Sequence, residues 1–170
     1  MNRIIIVSGV SGSGKTTIGK MLSKQTEIPF YDADDYHPKR NLEKMKAGHP
    51  LDDGDREIWL ESMAAEMSDW EQRGGAVLAC SALKEKYRKK LDDGSSSDII
   101  WIMLEGSYDL IKERMESRKD HFFDASLLQS QFAIYERPSY GYCISIDDTP
   151  KNIVDNIIKQ LKAKDELDGL

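Results

Sequence analysis

The sequence predicts an α/β protein in three layers, a five-stranded parallel sheet with helices on both faces. Three observations carry that expectation. Five short apolar runs, residues 4–7, 28–31, 76–80, 99–104 and 143–146, read as buried strands and alternate with helical patterns. The first run leads straight into a glycine-rich turn, Gly9-Val10-Ser11-Gly12-Ser13-Gly14-Lys15-Thr16, with a helical stretch behind it. The last helix starts cleanly, with Thr149 as N-cap and Pro150 at the first helical position. Ligands of such a doubly wound sheet belong at the carboxyl ends of its strands.

Taken in order, a first helix is expected over residues 15–25, with Ile18, Met21 and Leu22 facing the sheet. A second, over residues 55–73, carries Trp59, Met63, Met67 and Trp70 at helical spacing, a packing stripe that Gly74-Gly75 stops. Further helices are expected at 84–91, 108–118 and 127–136; in the last, Leu127, Leu128, Gln131, Phe132 and Tyr135 group on one side. The final helix buries Ile153, Val154, Ile157, Ile158 and Leu161, and the polar tail 163–170 is expected to fray. Residues 92–98 read as an exposed loop, and there is no internal repeat.

The composition fits one soluble domain: 170 residues, 39 % apolar and 32 % charged. No apolar run approaches the roughly 20 residues of a membrane span, and the N-terminus has no signal-peptide pattern. The net charge of −6 argues against a nucleic-acid binder, so anionic ligands would need positive charge concentrated locally. Cys80 and Cys143 sit in strand-like runs and are expected as buried, reduced thiols. A cytoplasmic location follows.

Residues 9–16 match G-x-x-x-x-G-K-[ST], the phosphate-binding loop, between the strand and the helix that the motif requires. Its glycines let several backbone N–H groups converge on one anion. Lys15 would reach the β- and γ-phosphates, Thr16 would place its hydroxyl on Mg²⁺, and the following helix would offer its positive N-terminus. Past the second strand, Asp32 and Asp34 lie beside this loop. They could divide two duties, holding the Mg²⁺ shell and orienting or deprotonating a hydroxyl nucleophile. The plainer reading is a solvated acidic turn with Asp35 as a helix cap. His37 either contacts substrate or caps the turn before Pro38.

Residues 48–56 form a turn-rich entry to the long helix, and their acids suit a helix N-terminus. Arg56 stands out because a planar guanidinium binds a carboxylate in two-pronged fashion. Cys80-Ser81 occupies the place where such proteins often carry a Mg²⁺-binding Asp, which leaves that duty to Asp32. Lys84 and Arg88, four apart, make either a solvated face or half of an anion pocket. Arg114 and Arg118 repeat the spacing ahead of Lys119, Asp120 and His121, as a lid closing over the γ-phosphate would need. The alternative is a helix C-terminus with cations set against its dipole.

Assembled in order, these segments resemble the gluconate kinases among the small phosphate-loop kinases. The carriers are GVSGSGKT at 9–16, D-x-D-x-x-HP at 32–38, Asn41 with Lys44-Met45, and G-x-PL at 48–51. DR-x-x-WL at 55–60, CSALK-x-x-YR at 80–88, R-x-x-x-R-x-x-HF at 114–122 and the S-Q-F segment at 130–138 complete the set. The resemblance implies a nucleotide kinase-like fold with a lid, and phosphoryl transfer from ATP to the 6-hydroxyl of D-gluconate. It also implies Mg²⁺, a cytosolic enzyme and a homodimer, with no nucleic acid or membrane partner.

Carried over by position, Gly9, Val10, Ser11, Gly12, Ser13, Gly14, Lys15 and Thr16 bind ATP, and Asp32 touches the Mg²⁺ water shell. Asp34 meets the substrate hydroxyl; His37, Arg56, Lys84, Arg88 and His121 are the other substrate candidates. Lys15, Asp34, Arg114 and Arg118 are the catalytic set, the two arginines serving the lid. Ala33, Gly54 and Asp120 depart from the family's usual residues. Neighbouring readings are a kinase of shikimate, a nucleoside or another sugar acid, and a nucleotide-sensing regulator without turnover.

Overall fold

A computed structural model describes residues 3–117 and 124–167. Its sheet has five parallel strands in the order β2-β3-β1-β4-β5. These are β1 (Ile4–Ser8), β2 (Phe30–Asp32), β3 (Ala76–Ala79), β4 (Ile100–Glu105) and β5 (Tyr142–Ser145). The helices are α1 (Lys15–Thr26), α2 (Lys39–Lys46), α3 (Asp53–Gln72), α4 (Glu85–Asp92), α5 (Tyr108–Glu116), α6 (Ala125–Ile134) and α7 (Pro150–Ala163). The central strand β1 is flanked by β3 and β4, so the chain reverses its direction of winding there. A crevice opens at the carboxyl end of β1, where the glycine-rich loop lies.

Period-two alternation in the strands divides the core between the two faces. Ile5, Val7, Val77, Ile100 and Ile102 pack with Ile18, Leu22, Val154 and Ile157 of α1 and α7. Ile4, Ile6, Leu78, Trp101 and Met103 face the other way, onto Trp59, Met63, Met67 and Trp70 of α3. The Met/Trp stripe of the long helix is therefore core packing. Asp52 caps α3 through the Asp55 N–H, and Asp55 returns a bond from the Asp52 N–H, so α3 begins two residues before the expected Asp55.

Three expectations shift. The run at 28–31 pairs only from Phe30, because Pro29 has no N–H to donate and contributes only its carbonyl to Val77. Residues 39–46, left without an element by the sequence reading, form α2; the segment is polar and short. The tail does not fray as far as it is described. Leu167 is buried in the core and Tyr142 donates to Glu166, so residues 164–167 wrap onto β5.

Residues 92–98 are less open than a solvated loop. Ser95, Ser96 and Ser97 wrap the buried Glu71 carboxylate, donating from three hydroxyls and from the Ser96 and Ser97 N–H groups. Burial alone would push the Glu71 carboxyl up, but these donors outweigh it and bring its pKa down to about 2. A depressed carboxyl stabilises the fold fully above its unfolded value and loses that contribution as the pH falls through the folded one. Glu71→Gln should therefore lower the melting midpoint near neutral pH by roughly 5–10 °C, and the gap to wild type should close between about pH 4.5 and pH 2. Thermal melts of both proteins across pH 2–7 measure this.

Candidate active site

A cleft of about 930 Å³ opens at the carboxyl ends of β1, β2 and β3. The loop 9–16 forms one wall, the Asp32–His37 turn its floor, and α2, the α2–α3 connection and α6 the opposite side. The loop needs glycine in two ways. Gly14 holds φ at 97° as it caps α1, a backbone region costly for any side chain. At Gly12 a Cβ would run into Met115 of α5 at 2.5 Å. Lys15 folds back, its Nζ donating to Val10 O at 3.0 Å.

Asp32 ends β2 with both oxygens engaged. Oδ2 accepts from Thr16 Oγ1 at 3.0 Å and Oδ1 from the Asp34 N–H at 3.0 Å, the latter bond starting the 3₁₀ turn Ala33–Tyr36. Asp34 is thereby aimed into the cleft, with a side chain 80 % exposed to the cleft's water. Protein mass displacing bulk solvent around the cleft floor raises its pKa above the usual aspartate value, and the neighbouring Asp32 charge adds to that.

His37 lies flat on Trp59, ring centroids 4.2 Å apart and planes 11° off parallel. Trp59 is itself pinned, its indole N–H donating to Ala33 O at 2.7 Å. Burial first, and the Arg56 charge second, lower the His37 pKa to about 4, so the ring is neutral at physiological pH. Asn41 fixes the tautomer. Its Nδ2 donates to Asp55 O at 2.7 Å and faces His37 Nδ1 at 3.4 Å, which makes Nδ1 the acceptor. Nε2 then carries the proton, 4.0 Å from Asp34 Oδ1, beyond direct hydrogen-bond range.

Arg56 lines the cleft and uses Nη1 on Leu51 O and the Tyr87 hydroxyl. Among the described residues, Nε and Nη2 take no hydrogen bond, which leaves an edge of the guanidinium open to a ligand. Its neighbour Asp55 is 5 % exposed and held by Lys44, Arg40 and the Asp52 N–H. The Lys44 bond is the main reason its pKa falls to about 2. The matching Asn41, Lys44 and Asp55 thus anchor α2 to α3 and leave Arg56 to face the cleft.

Three expected site residues fall elsewhere. Arg88 is fully buried, donating to Ala82 O, Leu83 O, Glu136 O and the Glu85 carboxylate, so it is a clamp and not a substrate ligand. That clamp holds Ala82 at φ 34°, where the chain leaves β3 to line the cleft. Lys84 lies outside the cleft lining; with Lys86 and Tyr87 it holds Asp53 at the start of α3. Arg114 donates to Ile146 O at 2.7 Å and does not line the cleft. Arg118 and His121, with Asp120, lie outside the described residues. Cys80 is buried with its thiol pushed up to about 12 by burial, which fits an inert packing group.

The chain matches the shikimate kinase family profile over residues 11–162. It is 34 % identical to the thermoresistant gluconokinase of Escherichia coli K12 across 95 % of this chain and 94 % of that protein. The gluconokinase of Arabidopsis thaliana is 37 % identical across 94 % of this chain and 92 % of its own length. A crystal structure of a gluconokinase from Sinorhizobium meliloti 1021 superposes with a TM-score of 0.88 at 34 % identity, covering 96 % of this chain and 94 % of that one. The chain belongs to the gluconokinase family. It is a phosphate-loop kinase, and no helix among the described residues is long and apolar enough to cross a membrane.

Two of the departures from the family pattern can be placed. Ala33 is buried against α3, where its methyl joins the core. Gly54 sits in the first turn of α3, between Asp53 and Asp55, both already paired with lysines. Sequence reasoning passed over Lys46 of the cleft wall and the Asn41–His37 contact, neither of which has a spacing signature of its own. Arg56→Ala should raise the KM for a sugar acid by about tenfold or more with a smaller change in kcat, whereas Lys84→Ala should stay within about threefold. Steady-state kinetics on the two variants separate the positions.

Proposed function

We propose that this chain transfers the terminal phosphoryl group of ATP, with Mg²⁺, to the 6-hydroxyl of D-gluconate, giving 6-phospho-D-gluconate. The observation that supports it best is the pairing made by Asp32. One of its oxygens reaches Thr16 of the donor loop while the other starts the turn that aims Asp34 into the cleft. In this reading the N–H groups of residues 12–16 and the N-terminus of α1 hold the inner phosphates. Lys15 leaves Val10 O for the β- and γ-oxygens.

Thr16 Oγ1 and an Asp32 oxygen, 3.0 Å apart at a helix N-terminus, are a hard, oxygen-only donor pair of the kind that suits Mg²⁺ held by water and phosphate. Mg²⁺ held through Thr16 and Asp32 would offset negative charge on the phosphates. Asp34 accepts the proton of the acceptor hydroxyl, and its raised pKa makes it a better proton acceptor than an ordinary aspartate. Arg56 offers its open edge to the gluconate carboxylate, and neutral His37 donates from Nε2 to the polyol. Leu42, Met45 and Leu51 shield that end from water. The family resemblance also implies a cytoplasmic homodimer, which we keep as part of the proposal.

Two measurements test it. ADP release coupled to a colour change should require D-gluconate and stay at background with shikimate or nucleosides; no gluconate-dependent signal at millimolar substrate sinks the proposal. Asp34→Asn should lower kcat by about 10²–10⁴-fold while ATP binding stays near wild type. In the wild type, kcat/KM should fall on the acid side with an apparent pKa above the usual 3.8 of an aspartate. Near-normal kcat in the variant would remove Asp34 from the mechanism.

A further inference from the structure

The peptide unit joining Val10 and Ser11 is held at both edges by side chains. Its carbonyl accepts from Lys15 Nζ at 3.0 Å, and its N–H donates to Gln131 Oε1 at 2.7 Å. Gln131 Nε2 donates in turn to Ser11 Oγ at 3.0 Å. Because Ser11 N–H is an obligate donor, the oxygen of the Gln131 amide must face it. Ser11, Lys15 and Gln131 all line the cleft that Asp34 enters.

A backbone N–H in such a loop is an anion donor, and here the carbonyl oxygen of a neutral amide takes it. The inner phosphates belong on the N-terminus of α1. With the inner phosphates there, Ser11 and the Gln131 amide, which line the same cleft as Asp34, are within the wall that a terminal phosphate would meet. A primary amide carries acceptor and donor on one carbon, so a rotation about its last torsion exchanges one for the other.

We infer that Gln131 reads the terminal phosphate of the donor nucleotide. When that phosphate takes Ser11 N–H and Lys15 Nζ, the Gln131 amide releases Ser11 N–H and donates Nε2–H to a phosphate oxygen. Gln131 lies on α6, so the state of the donor site is transmitted to the helix whose first residues also border the cleft. The inference rests on residues 9–16 being the nucleotide site and is independent of which acceptor is used.

The experiment is equilibrium binding of ATP and of ADP, each with Mg²⁺ and without acceptor, to wild type, Gln131→Glu and Gln131→Met, with a thermal melt of each. Gln131→Glu keeps an oxygen for Ser11 N–H and accepts from Ser11 Oγ, so a simple brace would survive it. It also sets a negative charge against the terminal phosphate. We expect it to weaken ATP by about tenfold or more and ADP by less than about threefold. Gln131→Met, which loses the amide without adding charge, should weaken ATP by about three- to tenfold and leave ADP within about twofold.

Equal losses for ATP and ADP, or no loss in either, would make Gln131 a structural brace and overturn the inference. If Gln131→Glu fails to fold, the ATP-to-ADP ratio of Gln131→Met decides by the same criterion. A wild type that binds neither nucleotide would overturn the donor-site reading, and this inference with it.

Discussion

The carboxylate of Asp32 joins the two halves of the cleft, and both halves depend on it. Strand β2 delivers it to the point where α1 begins, so one oxygen takes the Thr16 hydroxyl and the other caps the 3₁₀ turn. The turn exists because Asp32 satisfies the Asp34 N–H, an orphan donor of the kind every helix start must resolve. Asp34 is aimed by that same bond. Remove the carboxylate and three things change together: the partner of Thr16, the start of the turn and the aim of Asp34.

A second constraint is charge. The chain is net negative by six, yet its proposed ligands are anions. The structure meets this by pairing acids away from the cleft. Asp53 is taken by Lys84 and Lys86, Asp55 by Lys44 and Arg40, Glu105 by Arg137, and Glu71 by three serines. Among the described residues, Lys15, Lys46 and Arg56 line the cleft together with Asp32, Asp34 and Asp124. His37 adds donor capacity without adding charge, because burial on Trp59 keeps the ring neutral. A local field of this kind does not appear in a net-charge count.

The sheet was legible in the sequence because strands buried on both faces read as continuous apolar runs, and Trp59 to Trp70 marked the face of α3 without ambiguity. The loop 9–16 was legible because its spacing is dictated by one ligand group. Arg56 and Arg88 show where such reading stops. Both are arginines near Tyr87 at the edge of a matched motif, and composition treats them alike. Only the fold shows that Arg56 faces the cleft while Arg88 is enclosed by five acceptor groups. Helix α2 escaped notice because its residues are polar and few, and its stability comes from Asn41 and Lys44 docking on Asp55, 14 and 11 residues further on. The contact of Gln131 with Ser11 spans 120 residues and involves an uncharged side chain, so no local pattern announces it.

The buried clamp at Arg88 joins two segments of the cleft wall. A charged guanidinium at zero exposure is costly unless its donors are met, and here three backbone carbonyls, a carboxylate and the Tyr140 hydroxyl meet them. Two of those carbonyls belong to the turn after β3 and one to Glu136 beyond α6, and Glu136 N–H closes the loop on Leu83 O at 2.8 Å. Leu83 lines the cleft from one of these segments and Gln131 from the helix just before the other. The same buried cation therefore ties the segment where Ser81 and Leu83 line the cleft to the one that follows Gln131, which meets Ser11. A lysine could not do this, since one ammonium group lacks the planar fork that reaches both segments at once.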